Sequence, residues 1–383
     1  MGSLLQGFRR RGRSKRWGGA LTAVVAFAVA GMALTPPALA QDVPPGKGLG
    51  HYVQRNLVSD LPDAAELFDA DLVNAWGLTF GPATPAWVAD NGTDVSTLYA
   101  GAVGNTPVMK VPLTVAIPGG APTGAVFNDS TGFVVSSGPS SGPARFLFSS
   151  EAGIISGWNP AVPPPPPSMQ AQTAVTVPGA IFKGLAIADT VSGQRIYATD
   201  FHNAQVDVWD ESLTPVTHPG AFQDPAIPTG FAPFGIQTVN GHIVVTYAMQ
   251  DADAEDDVAG PGNGFVDIYD TDGSLLRRFA TRGALNSPWG IAQAPSDFGR
   301  ASGALLIGNF GDGRINAYDP MSGKFLGALR REHGERLVID GLWALQFGNG
   351  AIGTPQTLLF TAGPADESHG LFGEITPLVH GQQ

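Results

Sequence analysis

A cluster of acidic residues gives the sequence its strongest chemical signal. The segment QDADAEDDVAGPGNG (250–264) places five carboxylates within seven positions, followed by a glycine-rich turn. Oxygen ligands on an irregular loop suit Ca²⁺, which accepts about six to eight of them. The segment lacks the D-x-D-x-D-G spacing and final Glu of an EF-hand. It therefore predicts a calcium loop, an acidic lid or a solvated acidic loop, with Asp251 and Asp253 as the proposed metal ligands.

Five other polar turns carry similar acids and amides, each between two short apolar segments. Carboxylates that converge repel one another unless water or a cation offsets their charge, so the whole set predicts a Ca²⁺ site. Taken singly, each Asp or Asn is better explained by its preference for β-turns. The further metal ligands proposed from these turns are Asp90, Asp200, Asp312 and Asp366, and the proposed ligand-binding amides are Asn91, Asn203 and Asn309.

Histidines suggest a second kind of site. His202 and His369 lie in two of these turns, and His333 precedes the last apolar strand. Three imidazoles around an axis could hold Zn²⁺ with an open position for water, as in hydrolytic zinc sites. The alternative function is therefore a metal-dependent hydrolase or lactonase-like enzyme. Its proposed catalytic residues are Asp200, His202, Glu367 and His369.

Few basic residues accompany these turns. An anionic ligand would need a nearby cation, and Arg336 is the best placed, so it joins the proposed ligand-binding residues. The chain has no nucleophile-elbow motif, and its glycine-rich stretches precede strands rather than helices, which makes phosphate-binding loops weak candidates. No organic cofactor is indicated.

The elements that carry these turns form a repeat. Its clearest member is a short apolar strand containing a small residue, which recurs every 47–60 residues when aligned on Gly77, Gly124, Gly184, Gly235, Gly290 and Ala344. A period near fifty with four strands per unit is the spacing of propeller blades. The small residue has a steric reason, because sheets that converge on one axis leave no room for every side chain. The copies are AWGLTF (75–80), PTGAVF (122–127), FKGLAI (182–187), PFGIQT (233–238), PWGIAQ (288–293) and LWALQF (342–347).

The predicted fold is an all-β, six-bladed β-propeller with four-stranded antiparallel blades over residues 51–379. The segment HYVQRNLVSD (51–60) should supply the missing outer strand of the last blade and close the ring. Loops that join second to third strands leave a propeller on the same face as the loops that enter each first strand. The polar turns should therefore meet at the mouth of the axial channel. Asp210, Asp270 and Asp319 each end a third strand and should cap the turn that follows.

Composition and the N-terminus predict an exported protein. The 383 residues include 51 Gly and 32 Pro, which favours short strands, and no Cys, which excludes disulfides and thiolate metal sites. A basic start, an apolar stretch and Ala-Leu-Ala before Gln41 predict a signal peptide over 1–40, with a flexible segment over 41–50 and a tail at 380–383.

Removal of the signal peptide would leave 15 basic against 33 acidic residues, a net charge of −18. Such a surface repels nucleic acid and anionic lipid. The sequence therefore predicts a secreted or periplasmic protein with no membrane span after cleavage.

Several sequence runs resemble an uncharacterised family of secreted bacterial propeller proteins, related to NHL-type six-bladed propellers and often ending in a PEP-CTERM sorting tail. Among them are NLVSDLPDAA, LVNAWGLTF, YATDFHNAQVDVWD and GNFGDGRINAYDP. The resemblance covers nearly the whole mature chain and implies fold and export, with no established activity. This chain ends on TPLVHGQQ without the tail, which removes the support for surface anchoring. The predicted function is binding of a small-molecule, glycan or protein ligand at the acidic mouth, with Ca²⁺ (or Zn²⁺) as a candidate ion.

Overall fold

A computed structural model describes residues 49–378, and these residues form an all-β fold. Besides strands, this part of the chain contains two short 3₁₀ helices, Asn91–Thr93 and Gly299–Ala301, and no α-helix. It has no helix with the length and hydropathy that a membrane span requires. The predicted signal peptide (1–40), all but two residues of the segment 41–50, and the tail (380–383) lie outside the described residues.

The first half of the fold comprises two leading strands and three antiparallel sheets. The leading strands are β1 (Leu49–Ser59) and β2 (Leu67–Phe68). Sheet 1 contains β3 (Ala75–Thr79), β4 (Ala86–Asp90), β5 (Val95–Ala100) and β6 (Met109–Ala116). Sheet 2 contains β7 (Pro122–Phe127), then β10 (Phe146–Ser150), β11 (Ile154–Trp158) and β12 (Gln172–Thr176), with a separate hairpin of β8 (Val134–Ser137) and β9 (Ser140–Pro143) inserted after β7. Sheet 3 contains β13 (Phe182–Thr190), β14 (Gly193–Asp200) and β15 (Gln205–Asp210).

The second half comprises sheet 4 and a nine-stranded sheet. Sheet 4 contains β16 (Phe231–Val239), β17 (His242–Met249), β18 (Phe265–Tyr269) and β19 (Leu275–Thr281). The nine-stranded sheet unites β1 and β2 with two consecutive sets: β20 (Pro288–Gln293), β21 (Leu305–Asn309), β22 (Ile315–Tyr318) and β23 (Phe325–Arg331), then β24 (Leu342–Phe347), β25 (Leu358–Ala362) and β26 (Leu371–Pro377).

Strand β1 joins the two ends of the chain. It pairs antiparallel with β26, with Gln54 opposite Ile375, as predicted for the outer strand of the last unit. Its start also pairs parallel with β23 through Leu49 and Leu329, which links the last two sets into one sheet and was not predicted. Strand β1 begins at Leu49, two residues before the predicted boundary at 51.

The first strands of the sheets form a ring. Strands β3, β7, β13, β16, β20 and β24 contact one another in that order, and β24 contacts β3. A Cβ atom added to Gly124 would lie 2.3 Å from the Leu185 amide nitrogen, and one added to Gly77 would lie 2.4 Å from the Thr123 carbonyl oxygen. No side chain fits at such a distance, so the structure confirms the steric reason for glycine at these positions.

Hydroxyl groups on the second strands β14, β17 and β25 bond to the first strand of the next sheet. Thr246 Oγ1 donates to Pro288 O at 2.6 Å, and Thr361 Oγ1 donates to Trp76 O at 2.5 Å. The second bond joins residues 285 positions apart and brings the last unit against the first. A narrow axial cavity of about 20 Å³ is lined by residues from all six first strands.

Sheet 3 departs from the expected pattern, because it has three strands among the described residues. The predicted turn aspartates are confirmed. Asp210 Oδ1 accepts from Thr214 N at 3.0 Å, and Asp270 Oδ1 accepts from Ser274 N at 2.8 Å. These bonds satisfy backbone amides where the chain turns from the third strand toward the edge of its sheet.

Candidate ligand site at the channel mouth

A buried lysine lies at the centre of the site. Lys183 belongs to β13, and its side chain is 2% exposed. Its Nζ lies 2.6 Å from Glu151 Oε1 and 3.1 Å from Asp256 Oδ1. Burial alone would lower the pKa of Lys183, but the charges of Glu151 and Asp256 outweigh burial and raise it. The side chain is therefore a fixed ammonium at neutral pH.

Two asparagines extend this ion pair across the ring. Asn74 Nδ2 donates to Glu367 Oε2 at 2.7 Å and to Asn91 Oδ1 at 3.1 Å. Asn91 Nδ2 donates in turn to Glu151 Oε2 at 3.2 Å. We call Asn74, Asn91, Glu151, Lys183, Asp256 and Glu367 the mouth network. Its members come from loops and strands of four sheets and from the turn between β25 and β26.

Acidic groups outnumber the single lysine in this network. Burial raises the pKa of Glu367, a hydrogen bond from Asn74 opposes that change, and the charge of Glu151 raises it further. The adjacent acid Asp257 has its pKa raised to about 6, chiefly by burial. Perturbed carboxyl groups beside a buried cation are typical of functional sites, because each such group costs stability that a purely structural role does not require.

Three tryptophan side chains pack together and contact residues of the mouth network. The rings of Trp76 and Trp343 stack with centroids 3.6 Å apart, and Trp289 packs edgewise against both. Trp343 Nε1 donates to Asn74 Oδ1 at 3.2 Å, and Trp289 Nε1 donates to Lys183 O at 2.9 Å. The Lys183 ammonium lies 5.3 Å from the centre of the Trp76 ring, within cation–π range.

The acidic segment 250–264 acts as a lid loop over one side of the network. Gln250 Nε2 donates to Phe201 O at 2.5 Å, and His202 Nδ1 lies 3.3 Å from Ala254 O, so the loop is anchored on the neighbouring turn of sheet 3. Asp256 reaches from this loop to Lys183. Of the three interpretations of the segment, the acidic lid agrees best with these contacts.

The lid's two proposed metal ligands have other contacts, and Asp251 Oδ1 accepts from the backbone N of Asp256, a partner of Lys183, at 3.4 Å. Asp251 Oδ1 accepts from Glu255 N at 3.0 Å within the loop, and Asp253 is exposed. In the sequence, Asp256 was one of five equivalent acids, and nothing in its spacing marks it as the one that contacts Lys183.

Among the other proposed residues, Asn91 and Glu367 belong to the mouth network and several more serve their own turns. Asp90 is fully buried, its Oδ2 accepts from Thr97 N at 2.9 Å, and burial raises its pKa. Asp200 accepts from Ile181 N (3.3 Å) and from Asn203 Nδ2 (2.7 Å), and Asn203 Nδ2 also donates to Gly179 O (3.3 Å). Asn309 Nδ2 donates to Ala284 O (2.8 Å) and to Asp312 Oδ1 (3.0 Å).

The proposed catalytic histidines have other partners. His369 Nδ1 lies 2.8 Å from Asp60 Oδ2, while the exposed His202 contacts the lid loop. Asp366 and Arg336 are also exposed. Within residues 49–378, no three His, Asp or Glu side chains form a group that could hold a metal ion. Calcium and zinc therefore stay predictions, and the position between Glu151 and Asp256 is filled by the ammonium of Lys183.

Sequence reasoning missed Lys183, Asn74 and the tryptophans, although one signal for them was present. In the six aligned first strands, the residue before the small residue is Trp76, Thr123, Lys183, Phe234, Trp289 or Trp343. This column forms the inner ring around the axis, and Lys183 is its single charged member. A lysine in a column of otherwise apolar or small residues indicates a buried cation that needs acidic partners.

Two proteins of Acanthamoeba polyphaga mimivirus, both described as uncharacterised, are similar to this chain. One is 33% identical over 296 residues, which covers 76% of this chain and 72% of the relative. The other is 31% identical over 309 residues, which covers 79% of this chain and 80% of the relative. Being viral, these relatives give no support for a secreted bacterial origin. No family model matches the chain.

Among solved structures, the virginiamycin B lyase of Staphylococcus aureus superposes with a TM-score of 0.50 at 12% identity. The match covers 85% of this chain and 99% of the lyase. At this identity the similarity concerns the fold alone, which is that of a β-propeller.

Proposed function

This chain belongs to the family of these uncharacterised mimivirus proteins, and we propose that it is a six-bladed β-propeller that binds its ligand at the mouth network. Support for six blades comes from the cyclic contacts of the six first strands and from the Thr361–Trp76 bond. In this proposal the third blade carries three strands and the others four. The N-terminal strand β1 completes the last blade.

The observation that carries the proposal is the position of Lys183. A buried ion pair loses much of its Coulombic gain to desolvation, so it is weak evidence for a stabilising role. Here the ammonium holds Glu151 and Asp256, whose side chains are 22% and 76% exposed. In this proposal the ammonium holds both carboxylates in place where the loops of the sheets converge, and the more exposed Asp256 offers oxygen atoms to a ligand. Preorganised acceptors of this kind suit a ligand that donates hydrogen bonds, such as a protonated amine or a sugar hydroxyl.

We also propose that the protein is exported and that it binds a metal ion. The predicted signal peptide and the net charge of −18 without it support a secreted or periplasmic protein. A structural Ca²⁺ would have to bind where Lys183 does not already neutralise the acids. Elemental analysis of the purified protein by mass spectrometry, with melting curves in the presence and absence of a chelator, tests both ions.

The hydrolase alternative keeps one supporting observation. Glu367 is a carboxyl group with a raised pKa beside a buried cation, which suits general acid–base chemistry. Rates with nitrophenyl esters and simple lactones test it. Hydrolysis that disappears in Glu367→Gln would favour the enzyme over the binding protein.

Binding is tested by probing a glycan array and a set of lysine-containing peptides with the protein and three variants. Glu151→Gln and Glu367→Gln each remove one network charge while keeping the shape of the side chain. Asp253→Asn is the matched control, because Asp253 is an exposed acid of the lid loop outside the network. We expect a ligand that binds the parent and the control at least tenfold more tightly than either network variant. Equal binding by all four proteins would contradict the proposal.

A further inference from the structure

Sheet 3 leaves one edge of β15 without a partner strand. In the described part of the chain, the only strand that pairs with β15 is β14, and the other edge of β15 has one isolated bridge, between Trp209 and Pro215, whereas the corresponding third strands of sheets 1, 2 and 4 each have an outer strand. After β15 the chain turns at Asp210 and runs back as far as Val216, whose N–H donates to Val208 O at 2.8 Å. The return strand then stops. Pro215 and Pro219 flank this point and lack the N–H groups that a continuous ladder needs.

After Val216 the chain leaves the edge of sheet 3 and packs against sheet 4. Phe222 N donates to Gly273 O at 2.8 Å, and the Phe222 ring packs against Tyr197 and Tyr269 with centroid distances of 5.8 and 5.2 Å. This packing fixes residues 220–223 off the sheet edge. The diversion leaves an open groove where an outer strand would otherwise lie.

This β15 groove has a volume of about 400 Å³ and is lined by the whole of Gln205–Trp209, by residues 215–218 and 220–223, and by side chains of the neighbouring sheets. It extends over both faces of the strand. Val177 and Trp209 border it on the side of sheet 2, while Phe222 and Thr271 border it on the side of sheet 4. An added strand would send alternate side chains to both faces, so this shape fits an extended peptide better than a compact ligand.

Main-chain groups along the edge face the groove. The bond from Val216 N to Val208 O shows that the backbone of Val208 points away from β14. In an antiparallel pair this orientation alternates, so Val206 points outward as well. The N–H and C=O of Val206 therefore face the groove, while Val216 lies opposite Val208.

The charged groups of the groove indicate which side chains an added strand should carry. Its charged and titratable groups are Asp207, Arg195, Asp272 and His218. Arg195 pairs with Asp272 at 2.6 Å, and His218 lies 3.8 Å from the same carboxylate. Asp207 has no cationic partner among residues 49–378: its Oδ1 accepts from Gln205 Nε2 at 2.8 Å, and its Oδ2 has no hydrogen-bond partner there. A lysine or arginine of the added strand would complete this pairing.

We propose that the β15 groove binds an extended segment of a partner protein, which adds to sheet 3 as its fourth strand and alternates apolar with basic side chains. The apolar side chains would lie with Val206 and Val208 against Phe222, and a basic one would face Asp207. A second copy of this chain fits poorly, because two β15 strands side by side would bring like carboxylates together. This site is independent of the mouth network and of the function proposed for it.

The test uses a capped Val-Lys-Val-Lys-Val peptide, with two controls: Val-Glu-Val-Glu-Val, and the lysine peptide methylated on alternate backbone nitrogens. Calorimetry and backbone amide exchange are measured on the full protein, on Asp207→Asn and on Asp253→Asn. We expect the lysine peptide to slow exchange of the outward-facing Val206 amide, to lose about tenfold in affinity for Asp207→Asn, and to bind Asp253→Asn unchanged. Neither control peptide should slow exchange there.

Three results would overturn the proposal. Equal binding of the methylated peptide would exclude strand addition, and unchanged affinity for Asp207→Asn would exclude the predicted charge pairing. Protection of the Val206 amide without any peptide would assign the edge to another occupant: a second copy if protection grows with protein concentration, or another segment of this chain if it does not.

Discussion

Asn74 and Glu367 lie 293 positions apart in the chain, yet Asn74 Nδ2 donates to Glu367 Oε2 at 2.7 Å. The bond joins the loop that enters the first sheet to the last polar turn. This bond forms because the ring of first strands brings the first and last sheets together. The bond from Thr361 to Trp76 joins the same two parts of the chain. Circular closure is therefore the physical cause of the mouth network.

Replacement of Lys183 by methionine should destabilise the protein strongly. The variant keeps an apolar stem of similar length but leaves Glu151 and Asp256 without their cation. Breaking a buried ion pair costs about 3 kcal/mol or more in free energy of unfolding, which denaturant titration can measure. The double variant Lys183→Met with Glu151→Gln should recover part of this loss. If the losses of the single variants simply add in the double variant, the two side chains do not interact.

Gly124 should tolerate alanine much less well than Gly184 does. The two glycines occupy the same repeat position, but an added Cβ would lie 2.3 Å from the Leu185 backbone nitrogen at Gly124 and 3.1 Å from the nearest atom, Phe234 O, at Gly184. Overpacking against backbone costs about 1–3 kcal/mol, and a tight contact that can relax costs less. Thermal melts of Gly124→Ala and Gly184→Ala make the comparison. Equal effects would mean that the first strands are not packed around the axis as described.

The pH dependence of stability should change when Asp207 is replaced by asparagine. Burial, and next the charge of Asp200, raise the pKa of Asp207 to about 6, so between its unfolded pKa and about pH 6 the folded state binds the extra proton. A folded state that binds more protons loses stability as the pH rises through that window. Asp207→Asn removes this loss and should be more stable relative to the parent at pH 7.5 than at pH 5. Denaturant titrations at both pH values measure it, and a gain that is larger at pH 5 would have the wrong sign.

The strands were largely predictable from the sequence, whereas the site was predictable only in part. Apolar periodicity and turn aspartates such as Asp210 act locally, so the order of strands followed from the repeat. Asn91 and Glu367 were recognised because polar turns of a propeller converge. Asp256 was not distinguished from its four acidic neighbours, because the choice depends on Lys183 in another sheet. The missing strand after β15 results from the packing of Phe222 on sheet 4, which no local pattern records.

Circular closure brings Glu151 and Glu367 into one network, and the ionisation of Glu367 reports whether the two carboxyl groups interact. The protein is labelled with glutamate carrying ¹³C at the side-chain carboxyl, and the Glu367 signal, assigned by its loss in Glu367→Gln, is titrated by NMR in the parent and in Glu151→Gln. Because the negative charge of Glu151 raises the pKa of Glu367, its removal should lower that pKa, while removal of Glu332, an exposed acid outside the network, should leave it unchanged. A Glu367 pKa that is the same in the parent and in Glu151→Gln would mean that the two carboxyl groups do not share a network.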